Sequence, residues 1–190
     1  MEILNIYHEN YELKGKLSRS EVHYKEEWHE TFQCIFTCGD KVILQKRSKY
    51  VSDYKGLLDV TIGGHIMSNE TMAAGVREIK EELGIDILFD DLKLVCVIPE
   101  VLDNRGKKDK EFINVFNYEI TAEEMKQINF NDNEVEDLIE VQLKEFKSLC
   151  FNSEHQIKGK NVLGDNEITF GKNHFLPYSE KYFNIIGSVL

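Results

Sequence analysis

The stretch that decides the fold is Gly63-Gly64-His65-Ile66-Met67-Ser68-Asn69-Glu70-Thr71-Met72-Ala73-Ala74-Gly75-Val76-Arg77-Glu78-Ile79-Lys80-Glu81-Glu82-Leu83-Gly84-Ile85. Within it Met72, Val76, Ile79 and Leu83 recur at intervals of 4, 3 and 4, which aligns them on one face of an α-helix over 72–83. Gly84 stands where a left-handed cap is wanted. Glu78, Glu81 and Glu82 are related by i,i+3 and i,i+4 on that helix, so their carboxylates project from one side, roughly opposite the apolar stripe. Ahead of the helix, Leu58-Asp59-Val60-Thr61-Ile62 predicts a strand that stops at Gly63-Gly64.

Three glutamates on a helix face are accounted for by solvation alone, with like-charge pairs costing only about 0.2–0.5 kcal/mol each. Their setting favours a different use. A double-glycine turn lets backbone approach whatever the carboxylates hold, and hard oxygen ligands suit Mg2+ or Mn2+ bridged to a phosphate. Arg77, four residues before Glu81, can pair with a carboxylate and fix its orientation.

The segment resembles the Nudix box, G-x5-E-x7-R-E-U-x-E-E-x-G-U, where U is a bulky aliphatic residue. Its second half matches at every specified position, as Arg77-Glu78-Ile79-x-Glu81-Glu82-x-Gly84-Ile85. The first half departs from the pattern. Counting back from Arg77 reaches Gly63 and puts Asn69 where Glu is expected, whereas Glu70 fits Gly64-x5-Glu but leaves six residues before Arg77. We read a one-residue deletion, with Glu70 keeping the role of the loop glutamate.

The resemblance implies a Nudix fold of the α+β class, a mixed β-sheet sandwiched between α-helices. It implies Mg2+- or Mn2+-dependent hydrolysis of a diphosphate linkage in a nucleoside diphosphate derivative or another small phosphorylated metabolite. In that family the helix glutamates, here Glu78, Glu81 and Glu82, bind the metal, and the carbonyl of Gly63 can add a ligand. Glu81 or Glu82 then helps to deprotonate the attacking water, while Arg77, Glu70, Gly64 and Gly84 orient and shape the box. A base beyond the box is often another glutamate. Glu134 is the candidate, its alternative being an ordinary turn acid.

Further residues narrow the branch. Arg19-Ser20-Glu21-Val22-His23, Trp28-His29, Leu44-Gln45-Lys46-Arg47-Ser48 and Gly64-His65 resemble the branch that contains isopentenyl-diphosphate isomerases and their hydrolase relatives, over about residues 1–150. Isomerases of that branch carry a catalytic Cys before the Gly-His step. Gly63 occupies that position here, so cysteine chemistry is absent from it. His23, His29, His65, Asp109 and Glu111 fall near the isomerase metal-ligand positions, the first two spaced six apart where the isomerase has seven. A second metal site and a structural remnant of shared ancestry are both open, and the rarity of lone histidines as ligands favours the remnant. The missing Cys and the intact helix half of the box favour hydrolysis, with isomerisation as the alternative.

The rest of the chain sets bounds. Its 190 residues, 42% hydrophobic and 30% charged, predict one ordinary domain over 1–190, with a hairpin extension at 1–30 and a C-terminal extension at 151–190. Hairpins are expected at 3–7 with 12–17 and at 31–38 with 41–47, and strands at 92–101, 111–120 and 134–142. Short helices are expected near 122–128, 143–150 and 179–188, while 152–173 reads as a hairpin or a flap. The four cysteines form no CxxC pair and are expected to be reduced thiols.

With 34 acidic residues against 23 Lys plus Arg, the net charge of −11 argues against a nucleic-acid polymer or an anionic membrane as partner. Much of that charge falls in 81–92 and 131–140, each of which holds five acids and no Lys or Arg. No apolar run approaches the ~20 residues of a bilayer span, and no secretory signal is read at the amino end, so a cytoplasmic protein is expected. Lys46, Arg47 and the basic loop from Arg105 to Lys110 could steer the phosphates of a small-molecule diphosphate, or be solvated surface. Tyr54, Phe112 and Phe116 could stack a base, or be core. Nudix proteins are often homodimers, and nothing in these residues decides that here.

Overall fold

The computed structural model describes residues 1–104, 106–130 and 133–190. At its centre lies β3 (Trp28–Cys38), eleven residues of largely apolar, β-prone sequence that takes partners on both sides. It pairs in parallel with β8 (Lys107–Glu119), from Trp28 opposite Lys110 to Thr37 opposite Glu119. Antiparallel to it run β1 (Ile3–Tyr7), β4 (Lys41–Arg47) and β6 (Ile62–His65). The remaining strands extend this frame. β2 (Leu13–Ser18) pairs with β1, β5 (Leu58–Asp59) with β4, and β7 (Lys93–Asn104) with β8. On the other side β9 (Val135–Gln142) joins β4, followed by β10 (Ile157–Asn161) and β11 (Glu167–Phe170). Strands from residue 3 to residue 170 thus share one mixed sheet.

Alternation along β3 builds two cores. Phe32, Cys34 and Phe36 face one way and pack with Ile79 and Leu83 of α2 (Val76–Leu83). Ile35 faces the other way, into the core formed by α4 (Leu143–Phe151) and α5 (Glu180–Val189), which buries Phe146, Leu149, Tyr182, Phe183 and Ile186. Helices therefore cover both faces of the sheet, the arrangement expected from the sequence. Two further short helices are α1 (Arg19–Lys25), started by a Ser18–Glu21 capping box, and α3 (Ala122–Met125), started by a Thr121–Glu124 box.

Most expected elements are present, and three differ in an instructive way. The strand expected over 58–62 is two strands, because Thr61 leaves the ladder. Its hydroxyl donates to the Ile43 carbonyl and accepts from the Phe36 amide at 2.8 Å, bridging β4 and β3. Beyond it β6 does not stop at the glycines but runs through Gly63-Gly64 to His65, held in register opposite Gln33, Phe32 and Thr31 of β3.

The basic loop expected from Arg105 to Lys110 is strand from Lys107 onward, since β7 and β8 pair out to Asn104 and Lys107, with Gly106 in the turn at φ 87°. Arg105 lies outside the described residues, as do Asn131 and Asp132 ahead of the candidate Glu134. The 152–173 segment is a hairpin docked on β9. All four cysteines are free, Cys34 and Cys150 being buried. Among the described residues no helix is long and apolar enough to cross a membrane.

Candidate active site

A 3-10 turn over Met72–Gly75 leads into α2, and Gly84 ends the helix in the left-handed conformation at φ 71°, its amide bonded to the Lys80 carbonyl at 3.0 Å. This places the start of α2 over the double-glycine strand. Arg77 organises the junction. Its guanidinium donates to Glu70 at 3.1 Å, to Glu78 at 2.7 Å, to Glu81 at 3.3 Å and to the His65 carbonyl at 2.9 Å. Glu70 also accepts from the Met67 amide at 2.9 Å. Partial burial opposes ionisation of Glu70, but these hydrogen bonds outweigh it and hold its carboxyl below the usual range.

The three helix glutamates occupy different environments. Glu78 lies directly over Gly64, where a Cβ would come within 2.2 Å of its carboxyl carbon. Burial, reinforced by the nearby Glu81 and Glu134 carboxylates and only partly offset by Arg77, pushes Glu78 up to about 7. Glu81 is 55% exposed. Glu82 is buried and accepts from the Gln45 side chain, so it is not part of a solvated acidic face. Glu134 borders the same cleft just ahead of β9 and acts electrostatically on Glu78, while its carbonyl accepts from the Ser48 amide at 2.7 Å.

A second cluster forms beside the first. His29 of β3 stands opposite Glu111 of β8 in the parallel ladder, and His65 of β6 stands opposite Thr31. α1 brings in His23. The three imidazole centres are 5.2–5.3 Å apart, and ligand atoms of His23, His29 and His65, like those of His29, Asp109 and Glu111, lie within 4.8 Å of one another. The Nδ1 atoms of His23 and His29 face the Arg19 and Glu27 carbonyls at 2.7 and 3.1 Å. A carbonyl can only accept, so each Nδ1 carries the proton, which in a neutral ring leaves the lone pair on Nε2. Those Nε2 atoms point at Asp109 Oδ1, from 3.5 and 3.7 Å.

Among the described residues, buried His29 Nε2, His65 Nε2 and Asp109 Oδ1 have no hydrogen-bond partner. Burial lowers the pKa of both His29 and His65, opposed at His29 by Asp109, and so keeps them neutral. Neutral imidazoles and carboxylates with unpaired buried lone pairs are a donor set that fits a divalent cation.

Both clusters open on one cleft of about 920 Å³. A model of the NUDIX domain matches residues 27–159. The chain belongs to the Nudix family. Its members are hydrolases acting on pyrophosphate bonds. An uncharacterised Nudix hydrolase of Clostridium acetobutylicum is 31% identical over 196 residues, which span 97% of this chain and 95% of that protein. A crystal structure of a Deinococcus radiodurans protein superposes with a TM-score of 0.59 at 19% identity, over 77% of this chain and 87% of its own. A MutT/nudix family protein from Enterococcus faecalis gives 0.56 at 16% identity, over 84% of this chain and 60% of its own. At those identities the two structures establish the shared fold.

Segments outside the matched Nudix region also line the Nudix cleft: Arg19 and His23 from the amino-terminal part, and Leu176 and Tyr178 from the carboxy-terminal part. Tyr178 donates to buried Asp59 at 2.8 Å and accepts from Gln33 at 2.7 Å, and Gln33 in turn accepts from Tyr182 at 2.8 Å. Sequence reading passed over Asp59 and Tyr178, because neither belongs to a spaced motif.

The two basic candidates on β4 part company. Arg47 lines the cleft, whereas Lys46 pairs with Glu136 at 2.6 Å away from the cleft lining. Lys107 and Lys108, from the tip of the β7–β8 hairpin, reach the cleft. Of the aromatic candidates only Tyr54 lines it. Phe116 is core, stacked on Phe32, and Phe112 is buried against Trp28 and Tyr11.

Proposed function

We propose that this Nudix protein is a Mg2+- or Mn2+-dependent hydrolase that cleaves the diphosphate linkage of a small phosphorylated metabolite, nucleoside diphosphate derivatives included. The observation that carries the reading is the Arg77 network, which holds Glu70, Glu78 and Glu81 together over the double-glycine strand. Glu78, Glu81 and Glu82, with the Gly63 carbonyl, would hold the catalytic cation. Bound there, a divalent ion neutralises phosphate charge, polarises the phosphoryl oxygen and makes its water acidic. Arg77 fixes the carboxylates in place before substrate arrives, so no reorganisation is needed. Glu134, which lines the same cleft as Glu78, takes the proton of the attacking water. Arg47 binds a substrate phosphate.

The second cluster, His23, His29, His65, Asp109 and Glu111, would hold a further divalent cation. Its donor set and its unpaired buried atoms support that assignment. The same cluster favours a second reading, isomerisation of isopentenyl diphosphate, against which stands Gly63 in the place of the isomerase Cys.

The test is phosphate release by the full-length protein with Mn2+ or Mg2+ across a broad panel of diphosphate compounds. Glu78→Gln and Glu82→Gln should abolish turnover of any substrate found, and undiminished turnover would remove the ligand assignment. Incubation with isopentenyl diphosphate, monitored for the dimethylallyl isomer, separates the second reading. Manganese content should approach two ions per chain in the wild type and one in His29→Gln.

A further inference from the structure

Two buried donors on one wall of the cleft have nothing to donate to. The Tyr54 hydroxyl and the Arg47 Nε are both screened from solvent, and both lack a hydrogen-bond partner among the described residues. Both residues line the cleft, and the 48–57 loop that carries Tyr54 is tied to Arg47. The Arg47 amide donates to the Leu57 carbonyl at 2.9 Å, the Gly56 amide to the Arg47 carbonyl at 3.2 Å, and the Arg47 guanidinium to the Asp53 carbonyl at 3.3 Å. Tyr54 itself sits in the left-handed region at φ 54°, a conformation that costs a residue with a Cβ and persists only where surrounding contacts impose it. Tyr54 lines the cleft within electrostatic reach of Asp109 and Glu111, although neither carboxylate hydrogen-bonds its hydroxyl.

An unpaired buried donor is costly, and two together beside acidic groups call for a ligand that supplies acceptors. Asp109, and Glu111 once a cation holds it ionised against its burial, repel an anion unless that cation lies between. A ligand that brings several anionic oxygens and shares a cation with those carboxylates satisfies the whole wall, and a diphosphate has that chemistry.

We propose that Tyr54 is a substrate-contacting residue, whose hydroxyl donates a hydrogen bond to a diphosphate oxygen held between Arg47 and the histidine-carboxylate cluster. This rests on the reading of the protein as a metal-dependent diphosphate hydrolase. It adds a contact from a loop with no motif of its own, and it replaces base stacking as the role of this tyrosine.

The experiment uses full-length, Mn2+-saturated protein and methylenediphosphonate, a diphosphate that cannot be hydrolysed, in titration calorimetry. Tyr54→Phe should weaken the probe about tenfold or more, as expected for loss of a hydrogen bond to a charged group. Its Mn2+ affinity and stoichiometry should stay at the wild-type value. Its melting temperature should be unchanged or higher, because a buried hydroxyl without a partner is removed, whereas a structural role would lower it. Unchanged probe binding in Tyr54→Phe, or a tenfold loss of Mn2+ affinity, overturns the assignment. Failure of the wild type to bind the probe overturns the underlying diphosphate reading together with it, and so is distinguishable from failure of Tyr54 alone.

Discussion

Gly64 and Glu78 touch: a Cβ on Gly64 would lie 2.2 Å from the carboxyl carbon of Glu78, 2.3 Å from one of its oxygens and 2.5 Å from its Cγ. The second box glycine is thus a vacancy that the first helix glutamate fills. Gly64→Ala should therefore push the Glu78 carboxylate out of the Arg77 network. Since the displaced atoms are the far end of a flexible side chain, the stability cost should stay near 1 kcal/mol, about the size of a small local packing change. Turnover, which depends on carboxylate placement, should fall about a hundredfold or more. Thermal melting alongside steady-state kinetics checks the split.

Burial raises Glu78 from 4.5 to about 7. For an acid whose folded pKa is raised, the stability contribution is fully present below the unfolded value. It is lost as pH climbs through the folded one, here between 4.5 and about 7. The metal-free protein should lose on the order of 3 kcal/mol of stability across that window from this group, and Glu78→Gln should remove most of the loss. A proton on Glu78 also competes with the cation, so Mn2+ affinity should drop about tenfold from pH 8 to pH 6. Denaturant melts of metal-free protein and calorimetric Mn2+ titrations at several pH values measure the two effects.

Arg77 bridges Glu70, Glu78, Glu81 and the His65 carbonyl with one planar guanidinium. A lysine keeps the charge but not the fork. Arg77→Lys should lower kcat about a hundredfold while KM changes by less, and should cost about 1–3 kcal/mol through acceptors left unpaired. A raised KM with kcat unchanged would argue for a role in substrate binding instead.

Tyr178 joins Asp59 to Gln33 beneath the cleft. Tyr178→Phe deletes both bonds and leaves the two buried partners short, which should cost about 1–3 kcal/mol. It should also drive the Asp59 carboxyl, already raised by burial, higher still. A lowered melting point with intact metal binding is the expected outcome.

What the sequence determined by itself is what is local. The 3.6-residue period of Met72, Val76, Ile79 and Leu83 placed the box helix, and Gly84 capped it, because those preferences act within a few residues. The box pattern likewise marked Arg77 and its glutamates. Tertiary structure decided everything that depends on a partner distant in the chain. The ladder offered by β3 carried β6 past the double glycine to His65. Alternation on β4, in a strand whose inner side only the assembled sheet defines, turned Arg47 to the cleft and Lys46 to Glu136. Helix packing against Gln45 took Glu82 out of solvent. Four elements, α1, β3, β6 and β8, bring His23, His29, His65, Asp109 and Glu111 together. The parallel register of β3 on β8, which sets His29 against Glu111, follows from how two cores close around the sheet, and no spacing along the chain encodes it.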